Sequence, residues 1–258
     1  MEGLDAGASN PIVVSGNSRN FQWNTIRGNK TRDIDGLVER TKTRPLPAGE
    51  ITPNQALWLC GGLLFTALIL VLMTNPLTIM LSFGGLAVTA IYPFMKRFTH
   101  LPQIGLGVAW AWVVPMAFAA HREELPWELW LIFAAIVVWT VAFDTYYAMV
   151  DRADDLKIGV KSTAVLFGRY DLAMIVLLQT ATLFLMFLVG LEFQRGWIYF
   201  FGLLVAVAFF ANQFRHARHR ERQACFAAFL SNHRVGMVIF IGIALDYVFK
   251  GVPLASYF

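Results

Sequence analysis

Between Glu50 and Lys96 the sequence contains no Asp, Glu, Lys or Arg, and no other feature constrains the fold as strongly. An apolar run of roughly 18 residues or more reads as a membrane-spanning helix, because about 20 residues at helical rise cross the hydrocarbon of a bilayer. The stretch is long enough for two such helices, and Asn75-Pro76 marks a tight turn between them. Similar runs recur downstream. Seven spans are predicted, at roughly 54–74, 76–95, 104–120, 127–148, 172–191, 196–212 and 235–250. The spans at 104–120 and 235–250 are short and contain Pro115 and Gly236 with Gly242, so kinked or partly embedded helices are expected there. The fold class is therefore all-α, a polytopic transmembrane helix bundle. With 57% hydrophobic and 15% charged residues, against about 25% charged in a typical soluble domain, a soluble single-core enzyme and a disordered chain are both excluded. Cys60 and Cys225 lie far apart with no Cys/His ligand spacing, so neither a zinc site nor a disulfide framework is expected.

The basic residues fall on one side of these spans. If the segment before residue 54 is cytoplasmic, that side collects 18 of the 21 Lys and Arg, in residues 1–53, 96–103, 149–171 and 213–234. The other side receives Arg122, Arg195 and Lys250. By the positive-inside bias, the polar loops and the N-terminal segment share the cytoplasmic face. Residues 1–26 are rich in Gly, Ser and Asn, with no apolar run longer than Ile12-Val13-Val14. They lack the basic and apolar regions of a signal peptide and read as a flexible arm.

Chemistry concentrates in two polar clusters. Asp144, Asp151 and Asp155 are spaced seven and four apart at the end of an apolar run, which places three carboxylates on one helical face. Like charges so placed repel, and a hard divalent cation such as Mg2+, bridged to a substrate phosphate, is one way to compensate them. A solvated loop whose acids pair with Arg152, Lys157 and Lys161 is the other. The second cluster runs from Arg32 to Pro47 and alternates acids with Arg and Lys. That alternation suits a site binding metal and phosphate together, although for Lys42 and Arg44 topology and anionic-lipid contact explain the charge equally well. Asp33-Ile-Asp35-Gly36 is not a calcium loop, because Lys42 stands where the loop requires Glu. Lys96 and Arg97 close the second span, as an anchor or as positive charge for an anionic substrate. Gln213 to Arg234 reads as a basic surface helix, in which four arginines around His216 and His219 argue against a metal pair.

These residues also carry a resemblance. Asp35-Gly36 with Arg40-Thr41 and Arg44-Pro45-Leu46-Pro47 come first, then Tyr92 through Arg97 with Thr99 through Gln103, then Asp144 through Asp155 with Lys157-Ile158-Gly159 and Lys161 through Ala164. In this order they resemble the bacterial 4-hydroxybenzoate polyprenyltransferases, within the intramembrane aromatic prenyltransferase superfamily that serves ubiquinone biosynthesis. The resemblance implies helices around a central cavity in the bacterial inner membrane, with two Asp-rich cytoplasmic motifs binding Mg2+ and the diphosphate of a polyprenyl donor. It implies metal contacts from Asp35, Asp144, Asp151 and Asp155. Asp151, Asp155 and Arg97 would be catalytic, with Arg97 facing the carboxylate of 4-hydroxybenzoate. Arg40, Lys96, Lys157, Lys161 and Tyr147 would bind substrate. The expected partners are polyprenyl diphosphate, 4-hydroxybenzoate and the lipid bilayer, and no nucleic acid.

One motif departs from the pattern. The family's first motif, Asn-Asp-x-x-Asp-x-x-x-Asp, falls on Arg27, Gly28, Thr31 and Asp35, so only its last acid is present. The family also has nine spans, two of them upstream of Asp35. A single domain over 27–258 that is N-terminally incomplete is therefore expected, with lower activity than a form carrying those helices. An inactive family member is one alternative. A non-catalytic membrane transporter is another, and it would need polar residues at mid-span, where Gln179 is a modest exception.

Overall fold

The computed structural model describes residues 45, 46 and 48–250, and among these every regular element is helical. Two compact units divide the chain, Met1–Thr66 and Ala67–Phe258. In the first, a turn closes through the Glu50 N–H donating to the Pro45 carbonyl at 2.8 Å, and helix α1 (Pro53–Leu72) begins. Its start is a capping box. The Gln55 N–H donates to Thr52 Oγ1 at 3.3 Å, and Thr52 N–H donates back to Gln55 Oε1 at 2.8 Å, which satisfies donors that the first helical turn cannot pair internally. Pro53 then occupies the first helical position, where its missing N–H costs nothing.

The second unit contains α2 (Pro76–Phe98), α3 (Pro102–Ala111), α4 (Val113–Arg122), α5 (Leu129–Ile158), α6 (Thr163–Phe167), a 3₁₀ turn (Gly168–Tyr170), α7 (Asp171–Glu192), α8 (Trp197–Ala217) and α9 (Arg222–Phe249). Asn75 caps α2 by accepting from Thr78 N–H at 2.9 Å, while its own amide donates to the Ala119 carbonyl at 2.6 Å and so joins the start of α2 to the end of α4. The helix break at Trp112 has a cause in Pro115, which cannot donate to the Ala111 carbonyl one turn back. Taken with α3 and α4 as one span and α6 and α7 as another, seven helices are long and apolar enough to cross a membrane.

Two expectations are overturned. The stretch from Gln213 to Arg234 is not a separate surface helix: α8 runs to Ala217, a short turn follows, and α9 starts at Arg222. The last span is accordingly not short but part of a 28-residue helix. The charged residues that looked like one solvated face mark the reversal between two spans. His219 is engaged there by Arg218, whose Nε donates to its Nε2 at 2.9 Å.

Helix α5 packs against α3, α4, α6, α7 and α9, so it occupies the middle of this unit. α8 and α9 make the closest pairing. Gly202 and Gly242 face each other so tightly that a methyl on Gly202 would lie 3.3 Å from the Gly242 Cα. Lipid tails are as apolar as leucine, so such close backbone approach, rather than hydrophobic expulsion, drives association of the spans. A core of Tyr199, Leu203, Ala206, Phe210, Val235 and Ile239 fills the α8–α9 contact. Large side chains such as Phe83, Leu177, Phe201 and Phe240 remain exposed on the outer faces, as a lipid-bathed surface requires.

Candidate functional site

The acids lie within α5 rather than beyond it. No residue from Asp144 to Ile158 breaks a helix, and the end comes at Gly159, whose φ of 70° is the left-handed conformation that only glycine adopts at no steric cost. Asp144, Asp151 and Asp155 share a face, and they are only 9%, 9% and 5% exposed. The solvated-loop alternative is therefore overturned. Arg152 pairs elsewhere: its Nη1 lies 3.2 Å from Asp171 Oδ2. Asp155, in the last turn of α5, also faces the negative end of the helix dipole, an arrangement unfavourable by roughly 0.3–1 kcal/mol. Lys157 in the final turn offsets part of this.

Asp151 and Asp155, one turn apart and turned away from bulk water, offer the hard oxygen donors that Mg2+ prefers, and they fit that ion. Among the described residues no three His, Cys, Asp or Glu side chains form a metal-holding group.

A short loop then brings distant segments to the acid end of α5. Lys161 Nζ donates to the Phe98 carbonyl at 3.3 Å, which ties it to the residue that follows Lys96 and Arg97. Ser162 caps α6, accepting from Val165 N–H at 3.4 Å. Thr163 N–H donates to Gln103 Oε1 at 3.2 Å, and the Thr163 and Thr145 hydroxyls are 2.8 Å apart. The start of α3, the start of α6 and the acid-bearing half of α5 thus meet through buried hydrogen bonds, and the exposed Lys161 bond adds the end of α2. Lys157 is exposed. The Tyr147 ring sits one turn before Asp151 and packs on Phe229 of α9, with ring centroids 4.7 Å apart. Lys96 and Arg97 occupy the last turn of α2, and their side chains lie outside the described residues, as do Asp35 and Arg40 altogether.

Three polar residues of this region had no assigned role on sequence grounds: Gln103, Thr145 and Asp171. Their common signal is burial of a hydrogen-bonding side chain in an otherwise apolar span. Asp171 is fully buried, and Arg220 binds it through Nη2 at 2.8 Å and Nε at 3.0 Å. These bonds hold the Arg220 guanidinium above its ordinary pKa.

The UbiA prenyltransferase family pattern matches residues 31–240. The chain belongs to this family. It is 53% identical over 218 residues to a 4-hydroxybenzoate octaprenyltransferase of Marinomonas sp., covering 84% of this chain and 76% of that protein. To the enzyme of the same description from Azotobacter vinelandii it is 55% identical, with 84% and 73% covered. The fold is shared with the apo structure of a UbiA homolog from Aeropyrum pernix, at TM-score 0.78 and 25% identity over 88% of this chain and 85% of that one. A UbiA homolog from Archaeoglobus fulgidus bound to GPP and Mg2+ has the same fold at TM-score 0.61 and 20% identity, with 87% and 82% covered. The family assignment makes the protein a membrane-embedded prenyltransferase and accounts for the all-helical architecture.

Proposed function

We propose that this protein transfers a polyprenyl group from its diphosphate to the ring carbon of 4-hydroxybenzoate adjacent to the phenol, in the pathway to ubiquinone. The observation that carries the reading is the meeting, at one end of α5, of two buried carboxylates with a lysine bonded to the basic end of α2. Relatives above 50% identity bear the corresponding name. Asp151 and Asp155 are the residues that hold Mg2+, which supplies positive charge against the departing diphosphate. Lys157 and Lys161 reach the phosphate oxygens as point charges. The allylic C–O bond breaks with its electrons leaving on the diphosphate, and charge-stabilising groups aimed at those oxygens lower that barrier. The ring carbon next to the hydroxyl, enriched in electron density by the phenol oxygen, forms the new C–C bond and then loses its proton. Arg97 orients the acceptor by pairing with its carboxylate, and Tyr147 lines the same turn of α5 as Asp151. The apolar helices keep water from competing with the ring.

The distribution of basic residues supports an inner-membrane protein whose loops at 96–103, 149–171 and 213–234 face the cytoplasm. A transport reading has less support, because Gln179 donates to Gln213 Oε1 at 2.9 Å, so the principal polar group at mid-span is used inside the bundle. The deciding experiment is prenylation of 4-hydroxybenzoate by membranes carrying the protein, with Mg2+ present and with chelator. Mg2+-dependent product is expected. Turnover unaffected by chelation, or absence of product with any polyprenyl diphosphate, would refute the reading.

A further inference from the structure

Lys161 stands in the short loop between α5 and α6 rather than on a helix. A lysine is a point charge on a flexible four-carbon stem, so the place where its ammonium acts depends on how firmly its backbone is held. Attachments flank it on both sides. Before it, the Val160 N–H donates to the Asp155 carbonyl at 3.0 Å, which joins the loop to the last turn of α5. After it, Thr163 opens α6, and its N–H is one of the donors that a first helical turn cannot pair internally. Gln103 of α3 takes that N–H on its Oε1 at 3.2 Å. The Thr163 side chain is held as well. The Thr145 hydroxyl spends its single proton on the Val141 carbonyl at 2.6 Å, so across the 2.8 Å contact between the two threonines the proton comes from Thr163. Gln103, Thr145 and Thr163 are all buried, and buried polar groups of this kind are costly to leave unpaired.

We propose that Gln103, Thr145 and Thr163 are positioning residues that fix the α5–α6 loop, so that Lys161 stands where it meets the donor diphosphate. The inference rests on the proposed function. Being buried, the three act through Lys161 rather than on the substrate. Helix α6 has five residues, far fewer than hold a helix together unaided, so the place of its first turn is set by what it is bonded to. Those partners form a stiff base. Helices α3 and α5 approach so closely that a methyl on Gly107 would lie 2.9 Å from the Val137 carbonyl oxygen. Without its hydroxyl, Thr163 keeps only the bond to Gln103, and the start of α6 can pivot on it. The loop and Lys161 move with that pivot. A merely structural clamp predicts something different: loss of stability, with no change in diphosphate affinity that depends on Lys161.

The test uses the full chain in nanodiscs, with inorganic diphosphate at fixed Mg2+ as the probe. The readouts are the diphosphate concentration giving half the maximal rise in Tm and, separately, KM and kcat for the polyprenyl diphosphate. Lys161→Gln is expected to raise the half-point by about tenfold, the scale of one lost hydrogen bond to a charged group. Thr163→Val should raise the half-point and KM by about fivefold with kcat little changed, and Thr163→Ser, which keeps the donor, should stay near wild type. In the Lys161→Gln background the same Thr163→Val change should add nothing, because the group it positions is gone. An unchanged half-point in Thr163→Val, an equal rise in both backgrounds, a Thr163→Ser variant as impaired as Thr163→Val, or an unchanged half-point in Lys161→Gln overturns the proposal. If Thr163→Val does not fold, Thr145→Val removes the acceptor of the same bond and is judged by the same outcomes. The two readings fail separately. The expected diphosphate pattern without any prenylated product refutes the transfer reaction and upholds the clamp, whereas Mg2+-dependent product without that pattern upholds the reaction and overturns the clamp.

Discussion

Asp171 and Asp246 are both buried aspartates in an apolar bundle, at 0% and 1% exposure, one at the start of α7 and the other, on α9, at the turn that follows its end. Asp246 accepts from Gly196 N–H at 2.9 Å, which caps the start of α8 and fixes a chain reversal. Beside it Arg195 stacks over the Tyr247 ring, 4.0 Å from its centroid. This arrangement is complete within two neighbouring helices and a turn. Asp171, by contrast, is bonded by Arg152 of α5 and by Arg220 of the α8–α9 reversal, and Arg220 also donates to the Arg169 carbonyl in the 3₁₀ turn. The same residue type under the same burial thus does two jobs. One terminates helices, and the other connects the acid-bearing helix to three further segments. Burial alone therefore does not fix what an acid does in this bundle.

The largest effect should come at the acid end. Asp151→Asn and Asp155→Asn are expected to reduce prenyl transfer by roughly 10²- to 10³-fold, the scale of losing a group that stabilises developing charge, while Tm in the absence of Mg2+ changes little. Near-normal rates in both variants would erase the distinction between the two ends. At the other end, Asp246→Ala should cost on the order of 1–3 kcal/mol, as expected when a buried N–H loses its acceptor. Chemical denaturation would record this, and turnover per folded molecule should stay at wild type. A loss of turnover without loss of stability would break the comparison from that side.

Between the ends, Gln179→Leu removes the hydrogen bond to Gln213, and about 0.6 kcal/mol is the typical worth of an interhelical hydrogen bond in a membrane. Its Tm should fall slightly and its rate should not. The smallest perturbation tests orientation. Cys225 suits labelling on sequence grounds, yet it is fully buried. Arg218→Cys, in the exposed turn between α8 and α9, should remain unlabelled by an impermeant thiol reagent in intact cells and react after disruption. Labelling in intact cells would reverse the assigned orientation.

Much of this architecture was readable in the sequence, for physical reasons. Uncharged runs long enough to cross hydrocarbon locate the seven spans, and Asn75-Pro76 supplies both a cap and a first helical residue. The face shared by Asp144, Asp151 and Asp155 follows from helical spacing alone. What spacing could not show was the continuation of α9 back to Arg222. Its first turns carry charge and polar groups, and they are held by tertiary contacts such as Arg222 with Asp154 at 3.1 Å. Nor could spacing pair Asp171 with arginines 19 residues before it and 49 after it. Such contacts are created by packing and leave no local periodic trace. The union of Lys161 with the Phe98 carbonyl belongs to the same class.

The length of α5 has a consequence for where chemistry takes place. Its 30 residues, at about 1.5 Å each, exceed the roughly 30 Å of hydrocarbon in a bilayer. With Glu128 at one interface, Asp151 stands roughly 34 Å along the axis and Asp155 a turn further, at the depth of the lipid headgroups. A substrate with a long isoprenoid tail and a diphosphate head rests in a bilayer with its head at that same depth. Under the proposed reading it reaches the acids by sliding sideways within its own leaflet, so the search is two-dimensional. The charged group is never dragged through oil, and the water-soluble acid enters from the aqueous side to meet it.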